Sequence, residues 1–175
     1  IFTSAAIRLD IRHPDLRLQG EVTFHNLHPW PVTPLSPGIM GWYAWVPLME
    51  CYHGVLSLDH TLSGKLTING ETVDFGGGHG YIEKDWGQSF PSGWVWLQTN
   101  HFDTPGTALT GSIAMIPWIG RAFRGFIVGL WHNQILYRFA TYTGAKTDYL
   151  HISDAVVSWL ITDRLYYLMI NAYRG

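Results

Sequence analysis

The dipeptide Asn69-Gly70 constrains this chain more than any other feature of it. Asn and Gly are the residues that accept positive φ at both central positions of a type I′ turn, the turn whose twist matches two paired strands. A two-residue loop at this point pairs Ile68 with Glu71. Counting back, Leu66 faces Val73 and Lys65 faces Asp74. An apolar pair and an opposite-charge pair therefore fall into register together, which is the cross-strand chemistry a hairpin needs. Gly64–Phe75 is predicted as a β-hairpin, and the chain around it reads the same way.

Ala5–Ile11 alternates Ile7, Leu9 and Ile11 with Arg8, Asp10 and Arg12, the pattern of a half-buried strand. Leu16–Phe24 alternates similarly around Gly20. His28–Pro37 carries prolines at 29, 31, 34 and 37 and is not expected to form a regular element. Trp42–Leu58 is apolar and aromatic, broken by Pro47. Gly93–Phe102 and Gly106–Pro117 read as strands joined through Asp103-Thr104-Pro105. Ala122–Trp131 and Gln134–Thr141 read as a second hairpin turning at His132-Asn133, and His151–Leu160 and Leu165–Tyr173 complete the series. Asp154–Thr162 admits a short helix, but Val156, Val157, Trp159 and Ile161 favour a strand. No repeat of fixed period and no low-complexity tract interrupts residues 1–175, which read as one β-rich domain or an internal portion of a longer chain. Many short strands at this spacing predict an antiparallel barrel or sandwich.

The composition narrows the function classes. Only 14% of the 175 residues are charged, whereas 15% are aromatic, with nine Trp, nine Tyr and eight Phe. Such a domain must bury its rings or present them to something apolar. The net charge is −2 and no Lys/Arg cluster exists, which argues against nucleic acid. The single cysteine, Cys51, excludes an intrachain disulfide and a Cys-rich zinc site. Leu109–Leu130 is the most apolar stretch, but Pro117, Arg121 and Arg124 interrupt it before membrane-spanning length. Its part Ile113–Ile119 is a candidate for peripheral membrane contact, against the commoner reading of a buried strand with an edge proline. No leader peptide is recognisable at the first residues, but an internal piece of a longer chain would have lost it; a cytoplasmic or peripheral membrane location is favoured, and the oligomeric state is left open.

Chemistry concentrates after Gly76-Gly77-Gly78. In an extended Gly80–Trp86, Tyr81, Glu83 and Asp85 point one way and Ile82, Lys84 and Trp86 the other. Glu83-Lys84-Asp85 is costly to bury unless paired, so a Lys–carboxylate anchor competes with a catalytic reading. On the next strand Trp94, Trp96, Gln98 and Asn100 share a face, either lining an aromatic cavity with a polar end or forming a core strand buried on both sides. Upstream, Glu50 and Tyr52 share one face and Cys51 and His53 the other. His53 is a candidate acid/base group, with a hydrogen-bonded core histidine as the alternative. The nine histidines include His25-x-x-His28, yet none forms HExxH or a carboxylate-rich loop, so no metal is expected. Phosphate-cradling motifs and GxSxG are absent from the sequence.

Two of these stretches, PGIMGWYAWVPLMECYHGVLSLDH within Ser36–His60 and GHGYIEKDWGQSFPSGWVWLQTNHF within Gly78–Phe102, resemble the tocopherol cyclase family. The plant pattern is Tyr-x-Glu-Lys-Asn-Trp-Gly, then Phe-Pro and Trp-x-Trp-x-Gln. Glu83, Lys84, Trp86, Gly87, Phe90, Pro91, Trp94, Trp96 and Gln98 match it; Asp85 departs from it, as in bacterial members with EKDWG. The resemblance implies a lipocalin-like (calycin-type) fold, antiparallel barrel halves around an apolar cavity, and closure of a chromanol ring on a prenylated hydroquinone. That reaction needs an acid protonated near neutral pH, aromatic walls for a tertiary cation and exclusion of water, but no metal or redox cofactor. Glu83 or Asp85 is then the expected proton donor, with Glu83 preferred. His53, His79 or His101 is the expected base. Tyr52, Tyr81, Trp86, Trp94, Trp96, Gln98 and Asn100 are the expected lining of a site for an apolar or lipid substrate. The competing expectation is a non-catalytic carrier of a quinone, carotenoid or other lipid; a structural module of a larger assembly is the weaker third.

Overall fold

A computed structural model describes residues 1–47 and 49–174. The fold is all-β and antiparallel. Its strands are β1 (Ala6–His13), β2 (Leu16–His25), β3 (Val32–Thr33), β4 (Ser36–Pro37), β5 (Cys51–Ile68), β6 (Glu71–Asp74) and β7 (His79–Gly87). They continue as β8 (Trp94–Thr99), β9 (Ala108–Trp118), β10 (Arg121–His132), β11 (Ile135–Ala140), β12 (Lys146–Ile152), β13 (Val156–Thr162) and β14 (Tyr167–Tyr173). The first sheet runs β1-β2-β5-β6, with β7 also paired to β5. The second runs β11-β10-β9-β8 and the third β12-β13-β14, while β3 and β4 form a small ribbon.

The hairpin at Asn69-Gly70 has the predicted register: Ile68 opposes Glu71, Leu66 opposes Val73, and Lys65 opposes Asp74. Lys65 Nζ reaches Asp74 Oδ2 at 3.2 Å. The central strand β5 is long enough to serve different partners along its length. Its Thr61–Ile68 half pairs with β2 and its Cys51–Thr61 half with β7. Irregularities between Val55 and Ser57 and between Ser57 and His60 separate the two halves. Such bulges bend a strand and re-aim its side chains.

Two apolar clusters hold the sheets together. Ile113, Phe126, Val128, Phe139, Trp159 and Ile161 fill the space between the second and third sheets. Trp30, Ile39, Met40, Val55 and Leu58 pack on the opposite face of the second sheet, toward the first. Gly129 makes room for that packing, because a Cβ there would overlap the Trp30 ring.

Several expectations are corrected. Of the expected barrel or sandwich, the barrel is not formed: among the described residues none of the sheets closes on itself. They stack as separate sheets, each keeping its edges, with an isolated bridge Met49–Trp118 beside the stacked faces. The predicted strand His151–Leu160 is divided between β12 and β13, because Ser153 Oγ and its backbone close a turn onto Val156. The helical alternative for Asp154–Thr162 gives way to β13. The second hairpin turns at Asn133-Gln134, both at positive φ, one residue later than expected. The proline-rich stretch contains the ribbon β3–β4, and Trp42–Leu58 is divided between a 3-10 turn at Gly41–Trp45 and the start of β5. Strand β8 lies at the edge of its sheet, and its face carrying Trp94 and Trp96 is exposed instead of buried.

Candidate functional site

Between the β5–β7 ladder and the second sheet lies a cavity of about 370 Å³. Strand alternation builds its walls. From β9 come Ser112, Ala114 and Ile116, and from β10 Phe123, Gly125 and Ile127, each set spaced by two. From the facing sheet come Cys51 and His53 of β5 and Glu83 and Asp85 of β7. Met40, Tyr43 and Tyr142 cover one end, while Met49, Phe90, Pro91, Trp94 and Trp96 form the rim. Trp94 is 63% exposed and Trp96 45%, so the cavity is open along the β8 edge.

Two hydrogen-bonded carboxylate units face this space. Glu83 Oε2 accepts hydrogen bonds from Tyr81 Oη at 2.5 Å and from Trp96 Nε1 at 3.1 Å. Both donors converge on one oxygen, and among the described residues Oε1 has no hydrogen-bond partner. Tyr81 Oη also lies 2.9 Å from Thr110 Oγ1, on a residue that is itself buried. Burial, reinforced by the Glu83 carboxylate, pushes the Tyr81 phenol far above its ordinary value, so it remains a donor at any working pH. The second unit is His53 Nδ1 against Asp85 Oδ1 at 2.5 Å. These residues are directly opposed in the β5–β7 register, so the ladder itself sets the contact. Burial first, and the Asp85 charge second, raise the Cys51 thiol above its ordinary value. Tyr142 is pushed up to about 12 by burial and donates to the Ile39 carbonyl at 2.7 Å, fixing the covered end.

Of the residues expected at the site, Glu83, Asp85, His53, Tyr52, Trp94 and Trp96 line the cavity. Tyr81 stands behind Glu83 as its hydrogen-bond donor. The others are elsewhere. Trp86 stacks on the Tyr52 ring at 5.7 Å and 13°, with Lys84 Nζ 5.0 Å over it, on the face of β7 away from Glu83. The expected Lys–carboxylate anchor is therefore replaced by a cation–π contact. His79 Nδ1 and Asn100 Nδ2 both bond Asp59 Oδ1, at 2.9 and 3.1 Å, and satisfy a buried carboxylate beside the β5 bulge. Gln98 lies partly buried beyond the cavity, and His101 is exposed in the loop after β8. Among the described residues no group of three or more His, Cys, Asp or Glu converges as a metal site.

Sequence reasoning missed the second-sheet wall and the covered end. The wall was within reach: Ser112, Ala114 and Ile116 alternate with Ile113 and Met115, and a correct β9–β10 register puts them beside Phe123 and Gly125. Met40 and Tyr142 lie outside the strands, where no period marks a shared face.

The sequence model of the family described as "Tocopherol cyclase-like" matches residues 18–162. The chain belongs to this family. The match includes every strand that walls the cavity, β5 and β7 through β10. Among curated proteins, the tocopherol cyclase-like chain is 29% identical over 121 residues to "Probable tocopherol cyclase, chloroplastic" of Oryza sativa subsp. japonica, covering 65% of this chain and 25% of that protein. It is 26% identical over 110 residues to "Tocopherol cyclase, chloroplastic" of Zea mays, covering 59% of this chain and 23% of that protein. The chain thus spans about a quarter of the length of these curated relatives. No solved structure matches it significantly.

Proposed function

We propose that this tocopherol cyclase-like chain carries the reaction chamber of a cyclase-type enzyme. The chamber takes a prenylated hydroquinone or a related polyene lipid and forms one part of a lipocalin-like enclosure. The observation that carries the reading is the placement of Glu83, held on Oε2 by Tyr81 and Trp96, in the wall of an aromatic cavity that also contains the His53–Asp85 pair. The curated relatives are named as tocopherol cyclases, which supports the same chemistry.

In the proposed reaction, Glu83 in its acid form delivers a proton from Oε1 to the less substituted carbon of the substrate's trisubstituted alkene. The alkene π bond breaks, a C–H bond forms, and the tertiary carbon becomes cationic. The faces of Trp94, Trp96 and Phe123 stabilise that charge through their quadrupoles. The phenol oxygen attacks the cation, closing the C–O bond, and its proton passes to His53, whose imidazolium is stabilised by Asp85. Return of that proton to Glu83 through solvent completes an isomerisation with no net gain or loss of atoms.

Glu83→Gln tests the assignment cleanly, because the amide oxygen still accepts from Tyr81 and Trp96 while the acidic proton is gone. Turnover of a prenylated hydroquinone should fall by at least about a hundredfold, the scale of general acid catalysis, with the circular dichroism spectrum unchanged. Full activity in the variant removes Glu83 from the mechanism, and an unfolded variant assigns it to architecture.

A second reading, a carrier of an apolar ligand, is favoured by the open β8 edge, where Trp94 and Trp96 leave the cavity accessible to water. Solvent extraction of the purified protein, followed by incubation with a prenylated hydroquinone, separates the two. A carrier returns its lipid with the alkene signal intact.

A further inference from the structure

The hairpin between β9 and β10 ends in a turn that local chemistry alone would not select. Ile119 has φ +48° and Gly120 φ +68°. Two other tight hairpins of the chain turn at Asn69-Gly70 and Asn133-Gln134 and place Asn at the corresponding first position, with φ +50° in each. Asn tolerates this conformation, whereas a β-branched side chain at positive φ is an outlier. The isoleucine is also 61% exposed, so neither backbone preference nor packing accounts for it.

Ile119 belongs to a larger apolar rim. Trp118 beside it is partly exposed and donates from Nε1 to the Pro47 carbonyl at 3.3 Å. The bridge between Met49 and Trp118 places the same tip against the rim of the cavity. Trp45, 67% exposed, hydrogen-bonds the Pro34 carbonyl and so brings exposed Leu35 alongside. Phe90 and Trp94 continue the exposed surface at the cavity mouth. The converging segments are devoid of ionic side chains: residues 29–49, 86–100 and 104–120 contain no Asp, Glu, Lys or Arg. The first charges after the tip are Arg121, opposite Trp118 in the hairpin, and Arg124. In a chain of net charge −2, an apolar tip followed by two arginines is a local inversion of sign.

We propose that this end of the molecule docks on the headgroup–acyl boundary of an anionic lipid bilayer. Ile119 and the neighbouring tryptophans enter the boundary, and Arg121 and Arg124 meet the lipid phosphates. Tryptophan with aliphatic side chains, bordered by arginine, is the chemistry of that boundary. Charge complementarity favours an anionic bilayer at the tip itself, where Arg121 and Arg124 are the first charges; the acids that flank the uncharged segments, Glu50, Asp85 and Asp103, adjoin their other ends in sequence. Among the described residues no helix is long and apolar enough to cross a membrane. A lipid leaving the bilayer here would meet the cavity mouth directly, but docking does not depend on which reaction the cavity performs.

The test uses the 175-residue chain and Ile119→Asn in co-sedimentation with vesicles of phosphatidylcholine alone or mixed with phosphatidylglycerol. Asn relieves the backbone conformation while removing the apolar side chain. The parent should sediment with the phosphatidylglycerol vesicles and be released by salt. Ile119→Asn should bind about tenfold more weakly, the scale of one lost aliphatic burial, while melting at an equal or higher temperature. A purely structural role for Ile119 cannot produce that opposition. Absence of parent binding to either vesicle overturns the proposal, as does equal binding by the variant. A dimer in solution that Ile119→Asn converts to monomer, without vesicle binding, overturns it in favour of a contact between copies.

Discussion

Gly80 and His60 oppose each other in the β5–β7 ladder, and neither works without the other. His60 is 2% exposed, with Nδ1 3.1 Å from Ser57 Oγ and its ring edge-on to Phe24 at 5.0 Å. A Cβ at position 80 would collide with His60 Nε2. The imidazole cannot retreat, because the bulge residues Ser57 and Asp59 around it are buried too. Gly80→Ala should therefore cost about 1–3 kcal/mol, the usual range for overpacking a filled site, measured as a lower urea midpoint with an unchanged slope. Glu83 shows the same dependence on neighbours from the functional side. Its chemistry rests on the donors Tyr81 and Trp96, one from its own strand and one from the next sheet.

At the scale of elements, the β5–β6 hairpin does more than reverse the chain. Asn69 occupies φ +50°, and its Oδ1 accepts the Arg17 backbone N–H at 2.7 Å while its own N–H donates to the Arg17 carbonyl at 2.8 Å. The turn thereby grips the start of β2. Asn69→Ala loses both the tolerated conformation and the side-chain bond and should destabilise by about 2 kcal/mol; Asn69→Gly recovers the conformation only and should lose about 1 kcal/mol. Thermal melts of the three proteins check the order. Strand β7 shows how far a period can be read. Its alternation puts Glu83 and Asp85 on one face and Lys84 and Trp86 on the other, as the sequence predicts. Strand β8 shows where the period stops. Asn100 is in phase with Trp94 and Trp96 but lies past the strand end at Thr99, where the buried Asp59 carboxylate captures it.

At the scale of the molecule, the cavity exists because two separate sheets face each other across small residues. Ala114, 7% exposed, lies in the β9 wall between Trp94 and Gly125 in the paired register. Ala114→Phe would fill the space from the second sheet without touching Glu83, His53 or Asp85. Binding of a prenylated quinone, followed by quenching of tryptophan fluorescence, should weaken by about tenfold or more, equivalent to roughly 1.4 kcal/mol. Unchanged binding would place the ligand outside this cavity.

The sequence alone determined most of the strands, the register at Asn69-Gly70 and the pairing of faces along β7, because each depends on residues close in the chain and on a period of two. The tocopherol cyclase-like motif was legible for the same reason: its residues are contiguous. Only the tertiary structure decided which face meets a cavity and what stands across it. Alternation puts Ser112 and Phe123 on one face, but only the stacking of the sheets brings that face to Glu83, and Tyr142 joins them from a 3-10 turn that carries no period of two. His79 and Asn100 were drawn from the expected site to Asp59, since a buried carboxylate must find donors wherever the fold brings them. The choice left open between barrel and sandwich was also made at this level, because edge closure depends on the stacking of whole sheets and not on the alternation within any one strand.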